Sequence, residues 1–193
     1  AATTIQVKAS IDLAAAMAAV ATMIPGQTAR IQELKREVQS LAVEVGKSTD
    51  DLAQGLYNVL SAFGDSADAV QKLEITAKAA TAGVSATGEA LSFLSAVTKA
   101  YGDTSAEAME KVADLGFQTV NLGDTTFPAL AAAIGGVTPQ AVTLGVSLEE
   151  LFGVMATATG VTGGTSEVVT QLARVFDSLM NPTETMIGLF KSL

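Results

Sequence analysis

The stretch GKSTDDL, residues 46–52, decides how this chain is read. Gly46, Lys47 and Ser48 spell the end of a phosphate-binding loop. That loop needs another glycine five residues earlier, so that backbone N–H groups can wrap a phosphate. Leu41 stands there, inside the apolar-periodic run Ile31, Leu34, Val38, Leu41, Val45. The plainer reading is a corner between two helices. Gly46 closes one helix, because glycine adopts the left-handed conformation with no Cβ clash. Ser48 opens the next by accepting a hydrogen bond from an orphan N–H. Asp50 and Asp51 favour the positive end of that helix.

The same punctuation recurs along the chain. A glycine followed two residues later by Ser or Thr occurs at Gly26, Gly46–Ser48, Gly64–Ser66, Gly83–Ser85, Gly102–Thr104, Gly123–Thr125, Gly145–Ser147 and Gly164–Ser166. Asn181 stands in for glycine in a ninth triplet, NPT. The spacing is about nineteen residues, a few helical turns. Of the 17 glycines, 11 carry a hydroxyl residue two positions on, against about three from composition alone. Helix stop and start chemistry explains the excess.

Between the stops the apolar residues recur at three and four. Residues 48–63 align Leu52, Leu56, Val59, Leu60 and Phe63. Residues 66–82 align Val70, Leu73, Ala77 and Ala80. Residues 147–159 align Leu148, Leu151, Phe152 and Met155. No stretch alternates apolar and polar residues as a strand would. The expectation is an all-α fold, a compact bundle or irregular array of about eight to ten short helices. FGDSADAVQKL (63–73) and YGDTSAEAMEKV (101–112) echo each other, through either a weak duplication or shared capping grammar. In residues 29–45, Ile31, Val38 and Val45 take heptad position a, and Leu34 and Leu41 take d. This seam fits either a short coiled coil between subunits or a helix packed on its own domain.

Composition narrows the function. The 193 residues suffice for a sizeable core. The chain is 49% apolar but only 5% aromatic, much of it alanine, and its mean hydropathy is +0.40. Such a surface favours self-association or an apolar partner. The net charge is −9, and no basic residue lies between Lys111 and Arg174. That balance repels phosphates, so specific nucleic-acid binding is not expected. An acidic surface is also one past which DNA would slide without sticking.

The chain has no histidine and no cysteine, which removes the commonest general base, the commonest metal ligand and thiolate chemistry. No catalytic residue, metal site or cofactor is expected. Glu149 and Glu150 are adjacent, about 100° apart on a helix, and suit its dipole better than acid/base work. Asp65–Ser66 and Asp103–Thr104 lack a base to activate the hydroxyl. Tyr57 and Tyr101 suit packed, amphipathic rings. LAAAMAAVATMI (13–24) ends at Pro25–Gly26, short of a membrane span. Residues 125–148 carry no charge but are interrupted by Pro128, Gly135, Gly136 and Pro139. They read as buried short helices, with a membrane-inserting element as the alternative. The first residue is not Met and no cap follows FKSL, so a piece of a longer protein is expected.

Several motifs, in order, resemble the core domain of phage tail tape-measure proteins, the family of long-tailed phages typified by lactococcal tail proteins. They are VGKSTDDLAQGLYNVLSAFG (45–64), ITAKAATAGVSATGEAL (75–91) and the long run from Val97 to Thr159. Within that run FQTVNLGDTTF (117–127) and Pro139 to Leu151 are the most specific. TSEVVTQLARVFDSLMNP (165–182) is similar to the family's closing helix. The resemblance covers residues 31–193 as a core domain. Residues 1–30, an apolar helical flank, carry little of it.

The resemblance implies a structural protein of the tail lumen, present in the host cytoplasm during assembly. Its implied roles are tail assembly, tail-length determination and DNA ejection. The implied partners are tail-tube protein, tail-tip proteins and assembly chaperones, with membrane contact at ejection. Alternatives from the residues themselves are a membrane-active helical bundle and a helical-repeat scaffold that binds proteins. The repeated corners would act as hinges in any of these.

Overall fold

The computed structural model describes the backbone of residues 2–192, and side chains for 12–189, 191 and 192. Among the described residues there are eleven α-helices, one 3-10 turn and no strand. The chain is all-α. In order the helices are α1 (Ala2–Met23), α2 (Thr28–Val45), α3 (Thr49–Phe63), α4 (Ala69–Ala82), α5 (Thr87–Tyr101) and α6 (Ala106–Leu122). Then come α7 (Phe127–Ala133), the turn Ile134–Gly136, α8 (Thr138–Thr143), α9 (Leu148–Thr162), α10 (Thr165–Met180) and α11 (Glu184–Ser192).

The count exceeds the expected eight to ten because the uncharged stretch breaks twice. Pro128 and Pro139 each sit in the first turn of a short helix, α7 and α8. Proline is tolerated there because its missing N–H would be unsatisfied anyway. Gly135 and Gly136 form the turn between them. Among the described residues no helix is long and apolar enough to cross a membrane.

Helix α5 is central. It packs against α3, α4, α6, α7 and α8. Its Phe93 meets Phe127 of α7 edge-on, with ring centroids 5.4 Å apart, and Phe152 of α9 at 6.2 Å. Phe117 of α6 stacks on Phe127 at 4.8 Å. These rings tie four helices together in a chain with few aromatics, and edge-to-face pairs add stabilisation beyond area burial. Leu34, Leu52, Leu56, Leu73, Leu94, Met109, Leu130 and Leu151 are among the fully buried core residues. Leu13, Met17, Val20 and Ile24 of α1 and its exit loop belong to the same apolar cluster.

Helices pack on their neighbours in sequence, as α3 on α4 and α4 on α5, and also out of order, as α1 on α3, α6 on α9 and α10 on α7.

Of the seven buried threonines, five donate the hydroxyl to the carbonyl four residues back. Thr76 bonds Lys72, Thr98 bonds Leu94, Thr119 bonds Leu115, Thr138 bonds Ile134 and Thr159 bonds Met155. A buried hydroxyl is costly only when unpaired. Satisfied within its own helix, each threonine packs against neighbours as a small, nearly apolar surface.

Candidate functional site: the helix junctions

The glycines and hydroxyl residues singled out as helix stops and starts lie at or beside helix ends, and the structure separates the glycines into two kinds of corner. At Gly26, Gly46, Gly64, Gly102 and Gly145 φ lies between +68° and +81°. Gly46 and Gly102 are left-handed caps closing α2 and α5. Gly145 follows α8, where the Gly145 N–H reaches the Val142 carbonyl and the Val146 N–H reaches Ala141. That bond pair is the Schellman arrangement.

Ser48 and Ser147 begin helices. The Ser48 hydroxyl accepts from the Asp51 N–H at 3.1 Å. Ser147 accepts from the Glu150 N–H at 3.3 Å, while the Glu150 carboxylate accepts from the Ser147 N–H at 2.9 Å. This reciprocal pair is a capping box. The bond from the Ser147 N–H is the largest of the causes that hold the Glu150 carboxyl below its ordinary value. Glu149 is lowered too, chiefly by Lys111. Both carboxylates are thus engaged as acceptors, at a helix start and in an ion pair.

Four glycines differ from the expected left-handed stop: Gly64 has φ +77° but ψ −179°, an extended twist open only to glycine, and Gly83, Gly123 and Gly164 lack the positive φ. Gly83 has φ −84°, and the left-handed residue is Val84, φ +51°. A Cβ on Gly83 would lie 2.6 Å from the Phe127 ring, so glycine is there for close approach. Gly123 is extended, φ −103° and ψ −174°. A Cβ there would lie 2.3 Å from Thr159 Oγ1 and 2.8 Å from the Ala156 carbonyl oxygen, where the end of α6 meets α9. Gly164 has φ −104° and opens α10, while Gly163, φ +75°, closes α9. Asn181, φ −122°, is not left-handed either.

Several hydroxyls also differ from the expected caps. Ser66 precedes its helix by three residues, because Asp68 takes the cap position of α4. Ser85 is one residue short of the α5 cap, Ala86, and its buried hydroxyl has no hydrogen-bond partner. Thr104 yields to Ser105, which accepts from the Ala108 N–H at 3.2 Å. Thr125 yields to Thr126, which caps α7, and instead pairs with Thr165 at 2.6 Å, joining the starts of α7 and α10. Ser166 lies inside the first turn of α10. At Thr104 and Thr125 the register slips by one, because the next residue, Ser105 or Thr126, also carries a hydroxyl and takes the cap. Pro128 just inside α7 marks that helix start in the sequence.

The heptad seam of α2 faces inward. Leu34 and Val38 are fully buried and Leu41 nearly so, while Ile31 and Val45 are partly buried against the core. α2 packs on α1, α3 and α4, so its seam is a domain contact.

One polar junction was not legible in the sequence. Lys72 is 3% exposed. Its ammonium donates to Asp68 at 2.9 Å and to Ser66 at 3.3 Å, and lies 4.8 Å from the Phe63 ring centroid. Asp68 in turn accepts from the Ala106 N–H at 3.2 Å, tying the start of α4 to the start of α6. Tyr101 makes a similar tie, donating to the Val146 carbonyl at 3.0 Å. Burial, then Glu149 and Glu150, push its phenol up.

The junctions therefore carry capping and clamping chemistry, with helices joined at corners that are either left-handed or closely packed. No cluster suited to a metal ion occurs among the described residues.

Comparison with known proteins agrees with an architectural chain. The chain is 28% identical over 148 residues to a probable tape measure protein of Clostridium phage phiCD119, across 75% of this chain and 16% of that relative. It thus spans about one sixth of the relative's length. No solved structure matches it. A family model described as phage-related minor tail protein matches residues 35–193, nearly the whole helical array. The chain belongs to the phage-related minor tail protein family, and is a phage tail structural protein of the tape-measure type.

Proposed function

We propose that this segment is a folded module of a tape-measure chain in the tail lumen, and that length is measured by other parts of the protein. The observation that carries this reading is the folding itself. A ruler is most economical as one uninterrupted helix, rising about 1.5 Å per residue. Here α1, the longest helix, has 22 residues, and the chain turns back at each junction onto one apolar core.

The module serves tail assembly and DNA ejection as an end domain or a compact store, with the junctions as its hinges. Its docking partners are tail-tube and tail-tip proteins, and assembly chaperones hold it beforehand in the host cytoplasm. Its excess of carboxylates, −9 overall, suits a lumen through which DNA must pass without adhering.

Deleting residues 48–180 from the full-length protein tests the reading. Those residues would span about 200 Å as a single helix. Tails of normal length with defective tips or blocked injection are expected. Tails shortened by about 200 Å would assign this segment to the ruler instead.

A further inference from the structure

We propose that the corner between α4 and α5 is a strained hinge: released, it straightens, and α4 and α5 join as one helix over residues 69–101. The bend is a Schellman turn, in which the Ser85 N–H reaches the Ala80 carbonyl at 2.9 Å and the Val84 N–H reaches that of Thr81 at 3.4 Å. The left-handed residue of such a turn is usually glycine. Here it is Val84, φ +51°, the one non-glycine with positive φ among the described residues. A β-branched residue in that region is strained. At 88% exposed, its side chain has no packing to hold it there.

The next two residues are also better served by a helix. The Ser85 hydroxyl is buried without a hydrogen-bond partner. In a continuous helix it would reach the carbonyl four residues back, that of Thr81, as five core threonines reach theirs. Ala86 takes the cap position of α5 with no side-chain oxygen, so Glu89 alone reaches back, accepting from the Ala86 N–H at 3.2 Å. Straightening would give the N–H groups of Thr87 and Gly88 the carbonyls of Gly83 and Val84. Among the described residues every other corner carries a glycine at positive φ, a hydroxyl cap or a proline. The run from Ala69 to Tyr101 contains no proline, so nothing in it forbids one helix.

What keeps the bend is tertiary. Gly83 packs on Phe127 of α7. The buried Thr87 hydroxyl donates to Asp51 Oδ2, at the start of α3, at 2.7 Å. Leu73 and Ala77 of α4, with Leu91 and Leu94 of α5, hold both helices in the core. Strain at the corner opposes the bend and packing imposes it, as a conformation held only by its surroundings requires. The hinge opens when α3 or α7 is drawn off, and this part of the chain then spans about 50 Å as a single helix. Its use in the tail rests on the reading of the module as a compact store. The hinge itself belongs to the folded chain and is tested on that chain alone.

The absence of cysteine allows spin labels at Gln71→Cys and Ala96→Cys in the 193-residue chain, both at exposed positions. With α4 packed on α5 the two Cβ atoms lie within about 20 Å. In one helix they lie about 38 Å apart. Distances are read by pulsed electron resonance as urea rises towards the loss of helical circular dichroism. A narrow population near 38 Å is expected before helix is lost. Val84→Gly should reduce it by about tenfold or more, since it relieves the bend and weakens the straight helix. Gly83→Ala should enlarge it, because the added Cβ meets Phe127. If Gly83→Ala fails to fold, the parent and Val84→Gly decide alone. Labels at Gln32→Cys and Ser61→Cys, across the Gly46 corner, should stay close together throughout. Three results overturn the proposal: a change directly from the bent distance to a broad, coil-like spread, an extended population that Val84→Gly leaves unchanged, or a Gly46 pair that lengthens first. A hinge that opens as expected, in a protein whose deletion of residues 48–180 shortens tails, keeps this inference and removes the store.

Discussion

The backbone of Gly83 packs so close to the ring of Phe127 that an added Cβ would meet Cγ and Cδ1 at 2.6 Å. This contact binds the C-terminal end of α4 to α7, whose Phe127 ring is at the centre of the aromatic cluster. Gly83→Ala must therefore push the ring out of its stacking with Phe117. Overpacking of this kind costs about 1–3 kcal/mol. Gly46→Ala meets no atom within 4 Å, and its cost of about 1–2 kcal/mol comes from the left-handed backbone alone. Thermal unfolding of both variants should show a loss of stability. Only Gly83→Ala should also change the near-ultraviolet signal of the aromatic cluster.

Why the sequence reveals Gly46 but misreads Gly83 is a matter of range. A left-handed cap is local, set by the chain's own φ and by hydroxyls and carboxylates within four residues. Gly46–Ser48 and Gly145–Ser147 are legible for that reason. Close approach is set by a residue 44 positions away, and sequence spacing carries no trace of it. The same holds for Lys72, whose pairing with Asp68 is local but whose burial is imposed by Phe63 and by the arrival of α6. The amphipathic faces gave the all-α class. The non-sequential contacts of α1 with α3 and α6 with α9 depend on the shapes of those faces and were not readable.

Val84 is the counterpart of Gly83. It is β-branched, left-handed at φ +51° and 88% exposed. An L residue in that conformation costs about 1–2 kcal/mol, more for a branched side chain. Its side chain packs on nothing that would compensate. Val84→Gly removes the strain but adds about 0.5–1 kcal/mol of unfolded-state entropy. The expected net result is stabilisation by about 0.5–1 kcal/mol, read as a higher denaturant midpoint with an unchanged slope. Val84→Asn should act in the same direction.

The slipped caps give a paired prediction. Ser48→Ala and Ser147→Ala each remove a hydroxyl that accepts from a helix N–H, and should cost about 1 kcal/mol. Ser147→Ala should cost more than Ser48→Ala, because it also loosens the Glu150 arm of the box. Ser166→Ala and Thr104→Ala remove no cap and should stay within about 0.5 kcal/mol of the parent. Equal losses in all four would show that Gly-x-Ser/Thr marks something other than capping.

Asp68 sets the last prediction, because it holds a buried cation. Burial raises its carboxyl, but hydrogen bonds from Ser66 and Lys72 together outweigh that and lower it below its ordinary value of 3.8. A carboxyl lowered on folding adds stability that is fully present above its unfolded value. That contribution is lost as pH falls through the lower folded value. The folded chain should thus weaken below about pH 4, and Asp68→Asn should flatten that limb. At neutral pH Asp68→Asn leaves the Lys72 ammonium without its charge partner. The cost should be about 1–3 kcal/mol, short of the 3–5 kcal/mol seen for fully buried pairs, because Asp68 is partly exposed. Adding Lys72→Met to Asp68→Asn replaces the stranded cation with an apolar chain of similar length beside Phe63. Denaturant unfolding should then recover most of the loss. If the double variant is no more stable than Asp68→Asn alone, the bond from Asp68 to the Ala106 N–H, and not the ion pair, is what secures α4 to α6.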